Sequence, residues 1–101
     1  MVGKKTEIIF KDQASRSITE IRIYISEQGF PDFANQFMIE LFNFGFALKN
    51  FPKKYPLCRK PILFRKEFRC AVFKKKYIFI YKLHRNKVVI YNVIHSNRYI
   101  Y

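Results

Sequence analysis

The chain has 101 residues, of which 20 are Lys or Arg and 7 are Asp or Glu, a formal charge of +13. Half of it is hydrophobic and 19% is aromatic, too apolar for a disordered chain, and 3 Gly and 4 Pro leave little material for a linker. A single domain over residues 1–101 with one core is therefore expected, since a chain this short buries only about 60–65% of its extended surface. No uncharged run approaches the ~20 residues of a membrane helix, and a start that runs from Lys4-Lys5 into Glu7 is not expected to be a signal peptide.

Thr6 to Phe10 reads as a short first strand. A helix should follow, with Asp12 or Ser15 as caps, because Ala14, Ile18, Ile21 and Ile25 step by 4, 3 and 4 into one apolar stripe. Gly29 ends it, and Pro31-Asp32 opens a second helix whose stripe runs Phe33, Phe37, Leu41, Phe44, Leu48 and Phe51. A Phe stripe at that spacing is core. Gly45 weakens this helix by up to about 1 kcal/mol, and a close neighbour is the expected reason. From Pro52 to Pro61 three prolines argue against regular structure and mark a basic loop.

Alternation then takes over. Phe68, Cys70 and Val72 fall on one side and Arg69, Ala71 and Phe73 on the other, with Lys74-Lys75-Lys76 as a hairpin connection. Tyr77, Phe79, Tyr81 and Leu83 alternate with Ile78, Ile80 and Lys82. His84-Arg85-Asn86 turns again, and Val88 to Ile94 is a last strand rich in β-branched residues. The predicted fold is α+β, ordered β-α-α-β-β-β, with an antiparallel sheet and a helical hairpin packed on one face.

The charge is unevenly placed. Residues 1–48 hold five basic and six acidic side chains, a net of −1, whereas residues 49–101 hold fifteen basic side chains and Glu67, a net of +14. A solvated surface mixes signs, so the asymmetry points to a polyanionic or acidic partner rather than to solubility. A membrane surface fits less well, because the basic half reads as strand and not as amphipathic helix.

Cys58 and Cys70 are too few for a secreted scaffold, which favours a cytoplasmic setting with Cys70 as a small hydrophobe in a strand. With His84 and His95 they are spaced Cys-x11-Cys-x13-His-x10-His, without the close ligand pair of a structural zinc site, so no metal and no cofactor are expected. Catalytic signatures are scarce. The glycines stand alone at 3, 29 and 45, so there is no phosphate loop, and the basic half lacks a carboxylate pair. Metal-free RNA cleavage needs only a base, an acid and cations, which Arg69, His95, Arg98 and a tyrosine are able to supply.

The segments Lys53-Lys-Tyr-Pro-Leu-Cys-Arg59, Phe68-Arg69-Cys-Ala-Val-Phe73, Lys76-Tyr-Ile-Phe-Ile-Tyr81 and Val88-Val-Ile-Tyr-Asn-Val-Ile-His95-Ser-Asn-Arg98, in that order behind a helical hairpin, resemble the RelE/ParE superfamily of bacterial toxins. The resemblance covers roughly Thr6 to Arg98. It implies the toxin half of a type II toxin–antitoxin module, growth arrest as its output, and a small acidic antitoxin that folds onto the +14 half.

The superfamily divides by target, RelE-like members cutting mRNA on the ribosome and ParE-like members inhibiting DNA gyrase. The RelE-like cation positions fall on Arg69, Ala71 and Ile78, so two of them lose their charge. Each such contact is worth about 3 kcal/mol in a cleavage transition state. The His95-x-x-Arg98 ending also resembles ParE-like members, although related nucleases place a catalytic His near this end. The resemblance thus favours gyrase blockade over mRNA cleavage by Arg69, His95 and Arg98. A basic nucleic-acid-binding module with Tyr77 or Tyr81 stacking on bases is the third reading.

If Phe68, Cys70, Tyr77 and Phe79 face the core, then Arg69, Ala71, Ile78 and Ile80 share the face away from the helices. A surface mixing apolar groups with arginines should be covered, by an antitoxin segment or by the tail Tyr99-Ile100-Tyr101. Ile80→Arg is on that basis expected to weaken antitoxin binding. The expected target- or antitoxin-binding set is Arg65, Arg69, Lys74, Lys75, Lys76, Ile78, Ile80, Arg98 and Tyr99.

Overall fold

In the computed structural model, which describes residues 6–99, strand β1 (Glu7–Phe10) leads into helices α1 (Asp12–Glu27) and α2 (Pro31–Ala47). A short helix α3 (Pro61–Arg65) and strands β2 (Arg69–Phe73), β3 (Tyr77–His84) and β4 (Lys87–His95) follow, and a 3-10 turn at Ser96–Arg98 ends the described chain. Among the described residues no helix is long and apolar enough to cross a membrane.

The α+β class and the helical hairpin are as the periodicities require, but the sheet is mixed. Its order is β1-β4-β3-β2, with β2-β3-β4 antiparallel and β1 added to β4 in parallel, Glu7 opposite Lys87 and Phe10 opposite Ile90. Two helices lie between β1 and the rest of the sheet, long enough to return the chain in the parallel sense that a hairpin cannot reach. The hairpin connections fall where expected. Lys74 (φ 52°) and Lys75 (φ 61°) take the left-handed backbone of a tight turn, and Arg85 (φ 58°) does so in the next.

Helix α1 starts on Lys11 without a side-chain cap, so Asp12 contributes as a first-turn acid facing the helix dipole rather than as the cap. Ala14 and Ile18 of the predicted stripe are fully buried. Pro31 occupies the first turn of α2, where its missing N–H costs nothing. That helix stops at Ala47: Leu48 is still buried, but Phe51, the last member of the expected stripe, is 72% exposed. The core lies between this hairpin and the sheet, built on Ile18, Leu41, Phe79, Tyr81, Val88 and Ile90. Partly buried Phe44 packs against it, with ring centroids 4.9 Å from Phe73 and 5.0 Å from Phe79. A Cβ on Gly45 would stand 2.5 Å from the Phe10 ring and 3.1 Å from Ile90 Cδ1, so the expected close neighbour is strand β1.

The two faces of β2 are exchanged relative to expectation. Arg69 pairs with Tyr81, Ala71 with Phe79 and Phe73 with Tyr77, which places Arg69, Ala71 and Phe73 on the helix side. Cys70 lies on the far side in a second cluster with Cys58, Ile78 and Ile80. The Pro-rich loop is also not wholly irregular, since Pro61 opens α3, whose Leu63 packs on that second cluster.

Candidate functional site

Two regions carry basic residues named above, and the loop before β2 builds the first. Cys58 N–H donates to the Phe68 carbonyl (2.8 Å) and Cys70 N–H donates to the Pro56 carbonyl (3.2 Å), so the loop runs as a short extra strand along the outer edge of β2. A disulfide joins Cys58 to Cys70 at this crossing. That corrects the expectation of a free Cys70: the edge pairing brings the two Cα atoms to 5.0 Å, a normal separation for a bridge.

The loop is pinned from below as well. Arg69 Nη1 donates to the Tyr55 carbonyl (2.6 Å) and Tyr81 Oη donates to the Pro52 carbonyl (2.7 Å). What remains outward is charge. Residues 49–66 carry seven Lys or Arg and no Asp or Glu, and Lys53, Lys54, Arg59 and Arg65 are all exposed. Exposed Phe51, Ile62 and Phe64 are interspersed among them.

On the far face of the sheet Ile78 and Ile80 are only 6% and 9% exposed. They are covered by Leu63, Phe68 and Tyr99, and the Tyr99 hydroxyl accepts the Arg59 and Lys60 N–H groups at 2.9 and 3.0 Å. The first tail residue does fold back over this face, whereas Ile100 and Tyr101 lie outside the described residues. Ile78 and Ile80 therefore support the surface from beneath and reach a partner only if Tyr99 and α3 move.

The second region is an open cleft of about 1060 Å³ between the helical hairpin and the end of the β3–β4 pair. Ser17, Tyr24, Lys76, Tyr77, His95 and Arg98 are among its lining residues. A register shift shapes one wall. Ile80 pairs with Asn92 but Tyr81 pairs with Ile90, which leaves Tyr91 as an extra residue. Asn92 then turns to α1, its Oδ1 accepting from Ser17 Oγ (2.7 Å) and from Val93 N–H (2.8 Å). Lys74, at the rim, is held by Glu40 at 2.8 Å, while Lys75 and Lys76 are exposed.

His95 and Arg98 share the cleft, but Arg69 does not. Arg69 pairs with Tyr81 and His95 with Tyr77, four positions apart on β3, or roughly 13 Å along the strand, and β3 itself runs between the two residues. The protonation of His95 matters too. Its Nδ1 accepts the Asn97 N–H at 3.1 Å, so the neutral ring carries its proton on Nε2. From Nε2 it donates; it has no lone pair there to act as a general base.

Burial pushes the Tyr77 phenol above its ordinary value, with Tyr24 adding to the shift. Burial also pushes Tyr81 from 10.0 up to about 12, the Arg69 guanidinium opposing this. Tyr81 is 0% exposed and cannot stack on a nucleic-acid base, which removes one of the two stacking residues of the third reading. Because its folded value is raised, the stability Tyr81 contributes is complete below about pH 10 and is lost as pH rises through about 12. Tyr81→Phe is expected to cost about 1–2 kcal/mol at neutral pH, through the unpaired Pro52 carbonyl, and to shrink the alkaline loss. Urea denaturation from pH 7 to 12 measures both.

Arg69, Ala71 and the disulfide were the features least visible in the sequence. A separation of 12 between cysteines carries no pairing signal by itself. The loop's edge pairing with β2, which creates the contact, involves only Leu57 opposite Arg69 and its neighbours.

Comparison with known proteins gives two findings. The profile of the family described as "ParE toxin of type II toxin-antitoxin system, parDE" matches residues 8–99. Among solved structures, a chain from "Chromosomal ParDE TA system from P. aeruginosa" superposes with a TM-score of 0.78 at 8% identity, covering 90% of this chain and 96% of that one. At that identity the likeness speaks for the fold. A search of curated proteins by sequence finds no match.

Proposed function

Since the chain belongs to the ParE toxin family of type II toxin–antitoxin systems, we propose that it arrests bacterial growth by docking on DNA gyrase and blocking it, without cutting nucleic acid. Such a toxin has a cognate antitoxin. The observation that carries the blockade reading is the separation of Arg69 from His95 and Arg98, with the Arg69 guanidinium held by the Tyr55 carbonyl. A cation fixed in that way is unable to stabilise a phosphorane formed at His95.

The docking surface in this reading is the loop of residues 49–66, Arg65 included, where charge and exposed aromatic side chains alternate along the chain, with the Lys74–Lys76 turn at the other end of β2 as a second basic element. Oppositely charged surfaces steer encounter and fix register, so the cognate antitoxin is acidic and competes for this surface. Gyrase sets the working compartment as the cytoplasm. The second reading, ribosome-dependent mRNA cleavage, draws on the cleft in which Lys76, Tyr77, His95 and Arg98 meet.

Tightly repressed expression in a bacterium tests the toxin role. Colony formation is expected to be lost on induction and restored by co-expression of the antitoxin. Normal growth with folded, soluble protein would contradict the proposal.

A further inference from the structure

We propose that the Cys58–Cys70 bridge is a thiol–disulfide exchange site, with a small thiol of the glutathione class as its substrate, and that its state governs how firmly the basic loop is held. The inference rests on the cytoplasmic setting proposed above, where thiols are kept reduced and a disulfide in a folded protein is transient or redox-sensing. The bridge joins the loop to β2 where the two run side by side, and Cys58 is followed directly by Arg59 and Lys60, whose N–H groups hold Tyr99. One bond therefore ties together the loop, the edge strand and the tail.

The two cysteines differ in exposure, Cys58 being 1% exposed and Cys70 half-buried, so Cys70 is the side from which a thiol approaches. Exchange begins when a glutathione thiolate attacks the Cys70 sulfur, forming a mixed disulfide and expelling the Cys58 thiolate, which takes up a proton. A second glutathione thiolate attacks the mixed disulfide at the glutathione sulfur, releasing glutathione disulfide and the Cys70 thiolate, which takes up a proton from solvent. Reoxidation runs the same steps backwards with glutathione disulfide as oxidant.

After reduction the loop keeps its hydrogen bonds to Phe68, Arg69, Cys70 and Tyr81 but loses its covalent tie. The domain stays folded while residues 52–60 open more often. This segment is rich in trypsin sites, at Lys53, Lys54 and Arg59.

The test uses the purified full chain with no antitoxin or target present, so its outcome is independent of the gyrase reading. The protein is equilibrated over a range of glutathione to glutathione-disulfide ratios, and the bridged fraction is counted by alkylation and mass measurement. Each state is then digested briefly with trypsin. The bridged fraction is expected to move from mostly closed to mostly open within that range. Cleavage inside residues 52–60 should be about tenfold or more faster in the reduced form, with sites on α1 and β3 unchanged. The double variant Cys58→Ser/Cys70→Ser should be cut at the reduced rate under every condition. A bridge that ignores all glutathione ratios in the native protein overturns the proposal. Equal cleavage rates in the two states, or reduction that speeds cleavage uniformly along the chain, overturn it as well.

Discussion

Ile80→Arg is expected to destabilise the whole domain by about 3–5 kcal/mol, because it places an unpaired charge in an apolar site. Ile80 is buried on the far face of the sheet under Leu63, Phe68 and Tyr99, with Cys58 and Ile78 beside it. Among the described residues no charged side chain is buried that could pair with it. A loss of this size is a large part of the 5–15 kcal/mol that holds a small domain together, so the variant should unfold at markedly lower urea. Weakened antitoxin binding by Ile80→Arg would then follow from loss of the fold and not from a lost contact. An unchanged urea midpoint would mean that Tyr99 and α3 lift away at little cost, and that Ile80 is reachable by a partner after all.

The second large effect belongs to the loop surface. Lys53→Glu/Lys54→Glu/Arg65→Glu replaces three exposed cations on residues that take no part in the core. Charge reversal at an interface rim costs on the order of 1 kcal/mol per site, so antitoxin affinity is expected to fall about a hundredfold. The loss should be greatest at low salt and should shrink as salt is raised. The unfolding free energy from urea denaturation should stay within about 0.5 kcal/mol of the parent, as is usual for surface substitutions. Titration calorimetry at two salt concentrations makes the comparison. Unchanged affinity at low salt would remove this loop from the binding surface.

Much of the fold was legible in the sequence because the helical hairpin and β3 carry strong periodicities. Steps of 3 and 4 between Ala14 and Ile25 and between Phe33 and Leu48 leave one solution each. The run from Tyr77 to Leu83 places large aromatic rings at alternate positions. Strand β2 was ambiguous for a physical reason. Cys70, Ala71, Val72 and Phe73 put apolar groups on both faces, and only the covering elements decide between them. Phe44 and Phe37 receive Phe73 on one side. Helix α3 and Tyr99 cover Cys70 and Ile80 on the other. Helix α3 is five residues long, too short to show a period, and the parallel pairing of β1 leaves no local signature.

The candidate site was legible as charge but not as geometry. The excess of cations after residue 48 is plain from the sequence, and Lys53, Lys54, Arg59 and Arg65 of residues 49–66 are exposed. The grouping of Arg69 with His95 and Arg98 depended on strand register, which the structure sets four positions apart on β3. The Asn97 N–H bond that fixes the His95 proton on Nε2 depends on the 3-10 turn after β4.

This ParE-family toxin is expected to block gyrase and to perform no cleavage chemistry. Supercoiling of relaxed plasmid by purified gyrase, with the purified chain added and then titrated with antitoxin, tests it most directly. Loss of supercoiling that the antitoxin restores is the predicted result. Full supercoiling, with mRNA cut on translating ribosomes and the cutting lost in His95→Ala, would contradict it.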